Sequence, residues 1–120
     1  MLLEGSCACS RVKFSVQSET PYPYQLCYCN ACRKNQGCGG YSINIMGLQN
    51  TFKIHSGEDQ LRYYQIPGGS NRRYFCSNCG SFLWAYSDEW PQWTYPYASA
   101  IDTALPVPPN RTHIMLVCYK

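Results

Sequence analysis

Seven of the nine cysteines in this 120-residue chain fall into three tight clusters: Cys7 and Cys9, then Cys27, Cys29 and Cys32, then Cys76 and Cys79. Cys38 and Cys118 stand apart. An odd total argues against a complete disulfide framework within one chain, and clusters this tight argue for reduced thiols that hold metal. Cys7-Ala8-Cys9 and Cys76-Ser77-Asn78-Cys79 together offer four sulfurs from two short loops, the donor set of a closed, structural zinc site. Gly80, directly after the second loop, permits a tight turn that a larger residue resists. Bringing the two loops together closes nearly seventy residues of chain, an entropic cost that metal binding offsets. The competing reading is that these thiols simply pack as small hydrophobes.

The segment Cys27-Tyr28-Cys29-Asn30-Ala31-Cys32 differs, because it supplies three sulfurs and no fourth. Catalytic zinc typically keeps three protein ligands and one position for water or substrate, so this cluster is the candidate reactive centre. Two alternatives stand beside it. Cys38, Cys118, His55 or His113 completes a second closed site, or Cys29 and Cys32 form a redox pair in the Cys-x-x-Cys spacing, although the βαβ context of such pairs is missing. Seven thiolates and two divalent zinc ions would bring the formal net charge from +3 to zero. Arg33 and Lys34 follow the open cluster, while Arg72 and Arg73 approach the closed one along the chain. Cations so placed lower thiol pKa values and suit an anionic substrate, Arg73 being the strongest candidate and a solvated basic face the alternative for Lys34 and Arg72.

Between the clusters the chain reads as strands and turns. Val12, Phe14 and Val16 alternate with polar neighbours, Tyr22, Tyr24 and Leu26 run alternately into the second cluster, and Tyr41, Ile43 and Ile45 repeat the signal. Further strands are predicted over Thr51–His55, Leu61–Ile66, Arg73–Phe75, Ser81–Tyr86 and His113–Tyr119. No long helical pattern appears, and five prolines between Trp90 and Asn110 predict extended or looped chain. One mainly β, antiparallel domain over residues 1–120 is the economical expectation. No apolar run reaches membrane-spanning length and the N-terminus lacks the apolar stretch of a signal peptide, which places the expected location in the cytoplasm and away from membranes. A net charge of +3 gives little reason to expect a nucleic-acid partner.

Gly5-Ser6-Cys7-Ala8-Cys9, the Cys-x-Cys-x-x-Cys-Arg-Lys run from Cys27 to Lys34, and Arg73-Tyr74-Phe75-Cys76-Ser77-Asn78-Cys79-Gly80 resemble the three signature blocks of the glutathione-dependent formaldehyde-activating enzyme family, which includes centromere protein V. The resemblance implies a β-tent fold of small zinc-bound sheets and two zinc ions. Cys7, Cys9, Cys76 and Cys79 would hold the structural ion, and Cys27, Cys29 and Cys32 the catalytic one. It implies a carbon–sulfur lyase-type reaction, the reversible joining of glutathione and formaldehyde to S-hydroxymethylglutathione; Arg73 and Arg33, from their places next to the clusters, are the candidate substrate- or cofactor-binding residues. Two departures are visible: Tyr28 stands where many relatives carry histidine, and relatives often continue past the position of Lys120, so a last strand or pocket edge is expected to be missing. No histidine–carboxylate pair offers itself as a general base, which leaves catalysis to metal and orientation. Two other classes fit the residues less directly, a related enzyme with another thiol and a non-catalytic zinc module.

Overall fold

The structure, a computed structural model, describes residues 1–36 and 39–116. Ten strands and one short α-helix, besides three single-turn 3₁₀ segments, follow in chain order among them: β1 (Leu2–Ser6), β2 (Lys13–Gln17), β3 (Thr20–Cys27), α1 (Asn30–Gln36), β4 (Ser42–Leu48), β5 (Lys53–Ser56), β6 (Leu61–Gln65), β7 (Asn71–Cys76), β8 (Phe82–Ser87), β9 (Trp93–Pro96) and β10 (Thr112–Ile114). They form a three-stranded sheet, β1-β2-β5, and a seven-stranded sheet, β10-β3-β4-β9-β8-β7-β6. The mainly β, antiparallel expectation holds, with one departure: β10 runs parallel to β3, setting Thr112 beside Gln25 and Ile114 beside Cys27.

The alternation that marked β2 puts Val12, Phe14 and Val16 in the interior, each at most 1% exposed. Phe14 then meets Trp84 of β8 edge-on at 4.9 Å, and Trp84 also packs on Phe52 and stacks on Tyr74. Such aromatic pairs add to the energy of burial by their quadrupole geometry. Cys7 and Cys76 belong to this same core, so the closed cysteine cluster is built into the packing between the two sheets. A second, smaller core of Leu3, Val16 and Ile45 lies beneath β1, β2 and β4.

Two strands went unread in the sequence, β1 and β9. The first is short and carries Glu4 and Gly5, which blunt its alternation; the second lies inside the proline-rich stretch and ends on Pro96, opposite Trp84. A proline at a strand end needs no ladder donor, so the stretch is extended there as its composition predicts. The predicted C-terminal strand appears as Thr112–Ile114, and its continuation toward Tyr119 lies outside the described residues.

Candidate metal centres

The closed cluster is made by two tight turns. After β1 the chain folds back so that Ser10 N–H donates to Cys7 O at 3.0 Å and Val12 N–H donates to Cys7 Sγ at 3.3 Å. After β7, Gly80 N–H donates to Cys76 O at 2.8 Å while Cys76 N–H reaches Ser81 O at 3.0 Å, closing the second turn. Gly80 takes φ of +78°, the left-handed conformation a glycine reaches without strain, as its place in the sequence implied. Ala8 N–H donates to Ser81 Oγ at 3.0 Å and ties the turns together.

The Sγ atoms of Cys7, Cys9, Cys76 and Cys79 all lie within 4.8 Å of one another. A tetrahedral zinc ion with bonds of about 2.3 Å sets thiolates about 3.8 Å apart. Cys7 and Cys9 are separated by 3.5 Å and Cys9 and Cys76 by 3.8 Å, so the donors fit such an ion. Their environments differ: burial pushes the Cys76 thiol up to about 11, while the Ser81 hydroxyl beside exposed Cys79 brings its thiol down to about 5.

The second cluster sits where β3 runs into α1. Cys27 ends the strand, and Cys29 caps the helix, its Sγ accepting the Cys32 N–H at 3.3 Å and its carbonyl accepting the Arg33 N–H at 2.9 Å. The helix therefore starts on the cluster itself, a side-chain cap in the place a serine or asparagine commonly fills. The three Sγ atoms lie within 4.8 Å of one another, again a spacing that suits a thiolate-bound ion. No histidine, aspartate or glutamate among the described residues joins them.

Arg73 reaches this cluster, and not the closed one that its place in the sequence suggested. Residues three apart on a strand leave it on opposite faces, so Cys76 turns to the closed cluster and Arg73 to the open one, about 10 Å along β7. Arg73 is 6% exposed; its terminal nitrogens donate to Cys32 Sγ at 3.3 Å, to Cys29 Sγ at 3.8 Å and to Tyr97 Oη at 3.2 Å. Burial works against its charge, but Tyr97 and Cys32 outweigh that and hold its pKa above the usual arginine value. Cys32 is drawn down to about 5, first by its hydrogen bond with Cys27 and then, against burial, by Ser42 and Arg73. Cys27 is pushed up by the same bond and by burial. Beside the cluster opens a cleft of about 410 Å³, lined among others by Cys29, Ala31, Asn71, Arg73, Ser87 and Trp90, a size within the range of about 300–1,000 Å³ usual for small-molecule sites.

The sequence profile of the glutathione-dependent formaldehyde-activating enzyme family matches residues 2–116. The chain belongs to that family. A Halomonas elongata protein provisionally named as a glutathione-dependent formaldehyde-activating enzyme is 49% identical over 119 residues, covering 97% of this chain and 76% of the relative. A crystal structure of a Rhodobacter sphaeroides protein superposes with a TM-score of 0.72 at 19% identity over 86% of this chain and 91% of its own, a likeness of fold.

In this member of the family of enzymes, all seven cysteines predicted as metal ligands gather into the two predicted sets, and all seven are free thiols. Cys38 and Cys118 lie outside the described residues. His55 is bonded to Ser15 Oγ at 2.7 Å in the three-stranded sheet, remote in topology from the open cluster. His113 stacks on Tyr28 and pairs Nδ1 with its hydroxyl at 2.6 Å, so it borders the cluster through Tyr28 without being one of its donors. Arg33 donates to Tyr28 O at 3.1 Å and to Asn30 Oδ1, bracing the cysteine loop. Sequence reasoning missed Tyr97 and Ser42, which face Arg73 and Cys32; neither sits in a motif, and only the register of β4 and β9 reveals them. No helix among the described residues is long and apolar enough to cross a membrane.

Proposed function

We propose that the Cys27, Cys29 and Cys32 centre, holding zinc, joins a small thiol reversibly to an aldehyde, as glutathione and formaldehyde give S-hydroxymethylglutathione. One observation carries the reading: the three-sulfur cluster offers only three donors among the described residues, with buried Arg73 against Cys29 and Cys32 and a cleft at Cys29, whereas the other cluster brings together a full tetrahedral set of four sulfurs. The four-cysteine set then holds a structural zinc. Zinc bound by three thiolates supplies Lewis acidity, lowering the pKa of a thiol or polarising an oxygen.

The chain's own residues do the rest. Arg73 pairs with two of the three sulfurs and offsets the negative charge gathered there. Arg33 fixes the Tyr28–Asn30 loop and with it the direction of the Cys29 side chain. The cleft receives the thiol next to Cys29. In the joining direction the thiol sulfur attacks the aldehyde carbon, one carbon–sulfur bond forms, and the thiol proton ends on the former carbonyl oxygen. The reverse breaks the same bond, which makes the class a carbon–sulfur lyase. A single domain of residues 1–120 carries both centres, and its free thiols suit a reducing compartment such as the cytoplasm.

The test is exchange of carbon-13 formaldehyde with its glutathione adduct, followed by NMR on the zinc-loaded protein. Wild type is expected to broaden and exchange the adduct signals well above the uncatalysed rate. Cys29→Ser is expected to return exchange to background while keeping the far-ultraviolet circular dichroism of the wild type. Exchange at the background rate in wild type would remove the reading.

A further inference from the structure

The cleft beside the three-cysteine centre holds two shielded hydrogen-bonding atoms without a partner in the protein, Nε of Arg73 and Oδ1 of Asn71. Folded proteins pair the great majority of such atoms, so two orphans in one cleft point to a ligand that pairs them. Arg73 and Asn71 are two residues apart on β7, which sends both side chains to the same face of the strand, the face that meets Cys29 and Cys32. Of the other polar groups lining the cleft, Ser70 and Ser87 share a hydrogen bond of 2.6 Å, Asn30 Oδ1 accepts from Arg33, and the exposed Glu89 carboxylate adds a negative charge that disfavours an anionic ligand group.

The two buried unpartnered atoms are one donor and one acceptor. Both terminal nitrogens of Arg73 already donate within the protein, to Tyr97 and to the sulfurs, so the two-pronged grip on a carboxylate is not what this side chain presents. A single N–H and a single carbonyl oxygen match a secondary amide, whose oxygen accepts and whose N–H donates. We infer that Arg73 and Asn71 read a peptide-type amide of the thiol substrate, so that the centre selects amide-bearing thiols over simple alkyl thiols. The inference rests on the thiol-binding reading above and adds what else the site demands of the thiol. The volume of about 410 Å³ leaves room beyond a two-carbon thiol, and Trp90, 55% exposed at the rim, offers an apolar cover for the amide plane.

The test is calorimetric titration of the zinc-loaded protein with three small thiols: N-acetylcysteamine, which carries one neutral amide, 3-mercaptopropionate, which carries a carboxylate, and 2-mercaptoethanol, which carries neither. Wild type is expected to bind N-acetylcysteamine about tenfold more tightly than 2-mercaptoethanol, the worth of two ordinary hydrogen bonds, and more tightly than 3-mercaptopropionate. Asn71→Leu, similar in size and without polar atoms, is expected to shrink the amide-to-alkyl ratio severalfold. Equal binding of the three thiols by wild type, tightest binding of the carboxylate, or an unchanged ratio in Asn71→Leu overturns the inference and leaves the thiol-binding reading standing. Absence of binding for all three thiols overturns both. Should Asn71→Leu fail to fold, the wild-type ranking alone decides.

Discussion

Replacing Cys76 with serine tests whether the four-cysteine cluster holds the fold together. Cys76 is fully buried in the core between the sheets, with its sulfur 3.8 Å from that of Cys9, a residue 67 positions earlier. Losing the metal releases a cross-link over a loop of that length, which the chain-entropy relation values at about 4 kcal/mol. A serine hydroxyl left in an apolar pocket without a partner costs about 1–3 kcal/mol more. The total of about 5–7 kcal/mol is a large part of the 5–15 kcal/mol that stabilises a typical domain. At about 4 °C per kcal/mol for a chain of this size, the melting temperature should fall by roughly 20–30 °C. Cys79→Ser removes a ligand from the same set, but this residue is exposed and its hydroxyl stays hydrated, so its loss should be smaller by the burial part. Thermal unfolding by circular dichroism, paired with metal analysis, reads both variants. A Cys76→Ser protein with full wild-type metal content that melts within about 5 °C of the wild type would refute the reasoning.

Arg73→Met keeps volume and removes the charge facing Cys29 and Cys32; glutathione affinity should drop about tenfold by calorimetry with a smaller effect on folding, and unchanged affinity would exclude the role. Gly57 has φ of +78° and a Cβ there would sit 2.1 Å from Arg11 O, so Gly57→Ala should lose about 2–4 kcal/mol in urea unfolding. Gly80 shares the same φ but has open space around it, and Gly80→Ala should lose only about 1 kcal/mol. Asp88→Asn breaks the 2.8 Å bridge to Arg72, but with Asp88 61% exposed the change in stability should stay under about 1 kcal/mol.

The cysteine sets were legible in the sequence because each is nearly local: two or three cysteines per turn define a cluster before any tertiary contact forms. The central strands were legible for the same reason, since alternation at Val12, Phe14 and Val16 records burial directly. The short helix was not, because Asn30–Gln36 has no apolar stripe and is started by the Cys29 cap. Arg73 was found as a residue but assigned to the wrong centre, since chain proximity to Cys76 says nothing about which face of β7 a side chain takes. Asn71, Tyr97 and the Tyr28–His113 pair carry no motif at all; they matter only once β7, β9 and β10 bring them beside α1.

The division of labour between the two cysteine sets is tested most directly by optical spectroscopy of the cobalt-substituted protein during a glutathione titration. Two thiolate-bound cobalt ions give overlapping visible bands, and only the one held by Cys27, Cys29 and Cys32 should respond when a thiol is added. The bands should shift in wild type, and Cys29→Ser should abolish the shift while the bands of the four-cysteine set and the fold persist. A wild-type spectrum that ignores glutathione and every other thiol would mean that the three-cysteine centre is completed by the protein itself, contradicting its reactive role.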